Sequence, residues 1–194
     1  ILRFTPAIGV TQKNDKTWTV HTEKGDINCQ YVVNAAGYYA QQVGEWFKPY
    51  GGRTVPMMVM SHQYLLSEEI PEIENYAKKS GKKLPLLRDV DISYYLRQEK
   101  NGFNLGPYEP NCKAHWATED DPMPDDFSFQ LWNDDLDRIE DIVADAMERV
   151  PLLGTSGVSR VINGPIPYAP DGLPLIGPMP GVENGFEACV FTFG

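Results

Sequence analysis

His62, Tyr95, Arg97 and Tyr108 are the side chains whose types and placement could do chemistry together. An imidazole can trade protons near neutral pH, and a phenol held on a strand can orient a polar substrate. His62 lies in MMVMSHQYLL, an apolar run after Pro56 that reads as a strand. A period of two sets His62, Tyr64 and Leu66 on one side of the pleat and Ser61, Gln63 and Leu65 on the other. Standing alone, such a histidine is more often a satisfied structural residue than a reactive one, so it needs partners. His21 and His115 stand in polar surroundings and read as surface residues.

The partners come from SYYLRQEKNGFNLGPYE. Asn101-Gly102 between alternating runs predicts a two-residue type I′ hairpin, because both central positions need positive φ. That loop sets Glu99 opposite Asn104, Arg97 opposite Gly106 and Tyr95 opposite Tyr108, with Leu96, Gln98, Phe103 and Leu105 on the other face. The leucine face is expected to pack on a core. The face with Tyr95, Arg97 and Tyr108 is open to two readings, the wall of a substrate cavity or an ordinary solvated surface.

The flanking elements must hold these strands. ILRFTPAIGV is strand-like; Trp18, Val20 and Thr22 alternate with polar residues, and Ile27, Cys29, Tyr31 and Val33 resume that alternation after a turn at Glu23 to Asp26. YVVNAAG then becomes continuously apolar, and Val43, Trp46 and Phe47 have helical spacing. Ala36 and Gly37 thus sit at a strand end before a helix, where small side chains let a backbone approach a cofactor or simply permit tight packing. Later in the chain, Asn133 is expected to cap a helix whose stripe runs through Leu136, Ile139, Ile142, Val143, Ala146 and Val150 to a stop at Pro151. The acidic ATEDDPMPDD before it lacks the spacing of a calcium loop, and no metal site is expected. RVINGPIPYAPDGLPLIGPMPG is rich in proline and glycine yet carries buried-type Val161, Ile162, Leu173, Leu175 and Ile176, which reads as a rigid return path with Asp171 orienting a turn.

The chain has 194 residues, 42% of them hydrophobic, enough for one ordinary core or parts of two domains. A net charge of -10 disfavours nucleic acid as a partner. No apolar run reaches the roughly 18 residues of a membrane span, and no targeting signal is visible. Cys29, Cys112 and Cys189 are odd in number and widely spaced, which fits reduced thiols better than disulfides or zinc. Apolar sequence at both ends predicts an internal piece, truncated at both ends, of a longer protein.

The succession VVNAAGYYAQQVG, SHQYLLSEEIPEI, LPLLRDVDISYYLRQEKNGFNLGPYEP and VINGPIPYAPDGLPLIGPMPGVENGF resembles the flavin domain of the dimethylglycine dehydrogenase family. The resemblance implies an α+β, D-amino-acid-oxidase-like fold: an α/β FAD-binding portion at 1–55, an antiparallel substrate sheet with a covering helix at 56–160, and a return to the FAD portion at 161–194. It implies FAD as cofactor, held covalently in family members by a histidine outside this chain, and tetrahydrofolate use through a further region. The implied reaction is hydride transfer from the N-methyl group of dimethylglycine to flavin, leaving sarcosine; sarcosine or another secondary or tertiary amino acid is the alternative substrate. A fragment standing alone is expected to be inactive, or to act as a binding module.

By the same resemblance His62 and Tyr95 stand beside substrate and flavin as the catalytic pair, with Arg97 and Tyr108 as candidates from the hairpin face. A neutral imidazole and a phenol suit that role, since only an unprotonated amine can release hydride. FAD contacts carry over to Ile8, Tyr39, Phe191, Thr192, Phe193 and Gly194, with Ala36 and Gly37 supported by the strand-end argument. The family has Phe-Trp where this chain has Tyr38-Tyr39, and glycine where Val190 stands. The electron acceptor is left open among electron-transfer flavoprotein, oxygen and another carrier, and the location is a bacterial cytoplasm or a mitochondrial matrix.

Overall fold

A computed structural model describes residues 1–118 and 120–192. Phe193 and Gly194, expected as FAD contacts, lie outside the described residues. The chain divides into two compact units, one of residues 1–59 and 166–194 and one of residues 60–165.

The first unit opens with a three-stranded antiparallel sheet of β1 (Ala7–Gln12), β2 (Trp18–Thr22) and β3 (Ile27–Cys29). The expected long second strand is broken: after Cys29 the chain leaves this sheet, and β4 (Val32–Asn34) joins a different one. A helical turn at Gly37–Tyr39 leads into α1 (Ala40–Glu45). Buried Asn34 organises this corner: its amide donates to the Ala40 carbonyl at 2.8 Å and its oxygen accepts from the Ala36 amide at 3.3 Å. Trp18 and Phe47 pack edge to face at 5.3 Å in a core shared with Met179 and Val182.

The second unit is built on β5 (Met58–Ser67), β6 (Leu87–Asp89), β7 (Tyr94–Glu99), β8 (Gly102–Pro107), β9 (Ala114–His115) and β10 (Val158–Tyr168), in the order β10-β5-β8-β7-β6 with β9 also on β5. The alternation read for the hairpin holds, since Tyr94, Leu96, Phe103 and Leu105 are buried in one core with Ile70, Ile73 and Ala146. Pro165 and Pro167 sit in β10 at the end of the sheet order, where a missing N–H costs no ladder bond.

The hairpin register differs from the expectation. Glu99 pairs with Gly102, so the turn is Lys100-Asn101, with Lys100 at φ 53°. Tyr95 consequently faces Gly106 and Arg97 faces Asn104. Gly102 serves a close approach instead of a turn: a Cβ there would lie 2.6 Å from the Glu68 carbonyl and 2.7 Å from Ser67 Oγ. Neighbouring contacts pin this register, with Ile70 N donating to the Asn101 carbonyl and Phe103 N to Ser67 Oγ, each at 2.8 Å. The shift is by two, so every side chain keeps its face.

Two helices cover this unit. α2 (Pro71–Ser80), unassigned from the sequence, carries the usual signals: proline in the first turn, Glu72 and Glu74 at its start, Lys78 and Lys79 at its end, and left-handed Gly81 after it. α3 (Glu140–Arg149) is shorter than expected and has no side-chain cap. Asn133 and Asp135 are drawn into tertiary bonds instead: the Asn133 carbonyl accepts from Asn163, and the Asp135 amide donates to Gln63 Oε1 at 2.7 Å.

The final strands β11 (Leu175–Pro178) and β12 (Gly185–Cys189) return to the first unit, β12 antiparallel to β11 and parallel to β4. Asp171 Oδ1 accepts from the Leu173 amide at 3.0 Å, the turn contact expected of it. Leu173 and Ile176, expected to be buried, are exposed.

Candidate active site

The second unit gathers most of the candidate catalytic side chains on one sheet face. His62 on β5 is buried, and its ring centroid lies 6.3 Å from that of Tyr108. Tyr108 in turn meets Tyr95 on β7 edge to face at 5.9 Å. Gly106 makes this possible: it is the register partner of Tyr95, and a Cβ there would lie 2.1 Å from Cε1 and Cζ of the phenol ring. Arg88 on β6 pairs with Tyr95 across the ladder and holds its guanidinium 5.1 Å above the Tyr108 ring. Arg97 shares the face but turns to an ion pair with Glu99 at 2.8 Å, largely in solvent.

The environment keeps the His62 imidazole and the Tyr95 phenol neutral at pH 7. Burial, with a smaller contribution from the Arg138 charge, lowers the His62 pKa to about 4. Burial raises that of Tyr95; Arg97 opposes the shift, and Tyr108 and Tyr64 add to it. The cluster is thus an uncharged imidazole and two phenols with a cation at the edge, suited to hydrogen-bonding an amine and attracting a carboxylate.

The opposite side of β5 carries a polar network. Gln63, fully buried, binds both backbone groups of Asp135, donating to its carbonyl at 2.9 Å and accepting from its amide at 2.7 Å. Arg138 donates to Ser61 Oγ at 2.6 Å and is ion-paired with Glu109 at 3.0 Å, while Lys113 pairs with Asp135 at 2.6 Å. The Arg138–Glu109 contact is a charge contact without hydrogen-bond alignment at the Glu109 oxygens. Burial raises the Glu109 pKa, and Arg138 opposes that rise. Sequence reasoning missed Arg88, Glu109 and Arg138; the one signal was the polar pair Ser61 and Gln63 alternating within an apolar strand. His115, read as a surface residue, stacks on Trp132 at 4.0 Å.

The first unit holds the candidate cofactor residues. Parallel pairing of β4 with β12 places Ala36, Gly37 and Tyr39 beyond one strand's carboxyl end and Phe191 and Thr192 beyond the neighbouring one. This is the edge where open α/β sheets bind ligands. Two observations fit a nucleotide cofactor there. Gly37 has φ 59° with nothing within 4 Å of where a Cβ would stand, and Thr192 Oγ1 is buried without a hydrogen-bond partner among the described residues. Val190 holds φ 57° and is fully buried, a strained conformation for a β-branched residue. Ile8 lies apart, exposed on β1 in the other sheet. Among the described residues no cluster of three or more His, Cys, Asp or Glu side chains could hold a metal, and no helix is long and apolar enough to cross a membrane.

The chain is 40% identical to mouse mitochondrial dimethylglycine dehydrogenase over 97% of its length, spanning 21% of that protein. It is 34% identical to mouse mitochondrial sarcosine dehydrogenase over 89% of its length and 17% of that protein. It therefore spans about a fifth of the curated relatives it matches. The solved structure of L-proline dehydrogenase from P. horikoshii superposes with a TM-score of 0.70 at 20% identity, covering 98% of this chain and 45% of that one, which shows the fold. The sequence model of the family described as FAD dependent oxidoreductase (DAO) matches residues 1–192, and the chain belongs to that family.

Proposed function

We propose that this chain is part of an enzyme that oxidises an N-methyl group of dimethylglycine, leaving sarcosine. The observation that carries the reading is the convergence of neutral His62, Tyr108 and Tyr95 on one face with Arg88 at its edge. Ala36, Gly37, Tyr39, Phe191 and Thr192 are the residues proposed to hold FAD, which when bound would supply the hydride acceptor. Neutral His62, with the phenol hydroxyls beside it, hydrogen-bonds the unprotonated amine and favours that form over the ammonium; the proton leaves to solvent, and the free lone pair is what hydride departure requires. A protonated imidazole would oppose the cationic iminium that develops on the substrate, so a pKa near 4 is an advantage here. Tyr95 and Tyr108 fix the amine by their hydroxyls, and Arg88 takes the carboxylate. Water then hydrolyses the iminium. An electron-transfer flavoprotein is the proposed electron acceptor, tetrahydrofolate the proposed acceptor of the one-carbon unit, and the mitochondrial matrix the location in a eukaryote.

The test is anaerobic reduction of the full-length flavoprotein by dimethylglycine, sarcosine and glycine betaine. Dimethylglycine is expected to bleach the flavin fastest, and betaine, with no amine lone pair, not at all. No bleaching by dimethylglycine refutes the reading. His62→Ala and Tyr95→Phe are expected to slow reduction by about 100-fold while flavin stays bound. The 34% identity to sarcosine dehydrogenase favours sarcosine as the second candidate substrate.

A further inference from the structure

Arg138 lies on no motif and on neither face of the hairpin, yet it touches the two residues that precede and follow the central pair of the candidate site. Its guanidinium donates to Ser61 Oγ at 2.6 Å and is ion-paired with Glu109 at 3.0 Å. Ser61 is bonded to His62 in sequence and Glu109 to Tyr108. Because strand side chains alternate, Ser61 is reached from the side of β5 opposite His62. Arg138 is only 11% exposed and Glu109 1%, so the pair is a buried ionic clamp. A buried ion pair is rarely retained for stability alone, since its desolvation cost offsets most of its attraction.

We propose that Arg138 is a positioning residue for the site: by bridging Ser61 and Glu109 it fixes the spacing of His62 and Tyr108 and holds a positive charge behind the imidazole. This rests on the reading of His62 given under Proposed function. The groups around His62 agree with it. Tyr108 and Tyr95 face the ring side, Tyr64 shares its strand face, and Arg88 lies over Tyr108. Behind β5 stand Arg138, its acidic partners Glu109 and Asp135, and Lys113. After burial, the Arg138 charge is the second cause of the low His62 pKa. The clamp therefore acts twice, through geometry and through the field.

The experiment uses the full-length flavin-loaded protein with histidine labelled by 13C at Cε1, the His62 resonance being identified by its loss in His62→Gln. Glu109→Gln/Arg138→Met removes both charges together and leaves no lone buried ion. Its His62 titration midpoint is expected to rise by about half to one pH unit, burial still holding it below the ordinary value. The acid limb of flavin reduction by dimethylglycine is expected to rise with it. Arg138→Lys keeps the charge but not the fork; its midpoint stays low while reduction slows roughly 10-fold from misplacement. A folded double variant with unchanged midpoint and rate overturns the proposal. If the double variant does not fold, an unchanged rate in Arg138→Lys overturns it. A midpoint that moves while reduction is indifferent to both this and His62→Ala upholds the clamp and sinks the catalytic reading of His62.

Discussion

Gly106→Ala is the most informative single change in the second unit. Gly106 is not among the residues with positive φ, so alanine suits its backbone and by itself would stabilise the strand by about 0.5–1 kcal/mol. The space opposes this, because the new Cβ would lie 2.1 Å from Cε1 and Cζ of Tyr95, the cross-strand partner. Tyr95 is confined on its other side by Tyr108 at 5.9 Å, so the ring must leave its rotamer or push the strands apart, at about 1–3 kcal/mol. The net expectation is a loss of roughly 1–2 kcal/mol, together with slowed flavin reduction as Tyr95 is displaced. In a Tyr95→Ala background the clash is absent, and Gly106→Ala is expected to stabilise by about 0.5 kcal/mol. Urea midpoints of the four proteins in this double-mutant cycle measure the change of sign. The same sign and size of effect in both backgrounds would refute the packing argument.

Three further outcomes are expected. The His62 pKa is about 4 in the folded protein against an ordinary 6.5, so between those values the unfolded chain takes up a proton that the folded one does not. Stability present above pH 6.5 is therefore lost as pH falls towards 4, by up to roughly 3 kcal/mol, and His62→Gln should flatten that part of the urea-midpoint profile. Gln63→Leu strips both Asp135 backbone groups of their partner and should cost about 2–3 kcal/mol; a cost below half a kcal/mol, within about ±0.5, would show that water replaces it. Burial pushes the Cys189 thiol up to about 11, so iodoacetamide at pH 8 should label Cys29 and Cys112 while Cys189 waits for unfolding; rapid native labelling of Cys189, read by mass spectrometry, would contradict its placement.

Legibility followed the range of the interactions. The faces of β5 and of the β7–β8 hairpin were readable because the strand period is two, and a register slip of two leaves every side chain on its face. The slip itself was not readable: Asn-Gly normally marks the turn, but here Gly102 is spent on the approach of Ser67 and Glu68, more than thirty residues earlier in the chain. The long helix expected from Asn133 shortened for the same kind of reason, since Gln63 claims the Asp135 amide. α2 lacks a capping side chain at Ile70, yet its other end signals were local and legible in Pro71, Glu72, Lys79 and Gly81.

By itself the sequence determined the mixed α+β class, the alternation that presents His62 and Tyr95, and the long motifs that mark the FAD-dependent family. These are local or contiguous, written in residues a few positions apart. Only the tertiary structure decided that Gly106 houses Tyr95, that Arg88 lies over Tyr108 and that Arg138 reaches both Ser61 and Glu109. Those contacts depend on which strand lies beside which and in what register, and that is settled by burial and backbone pairing across long sequence separations, which no local period encodes.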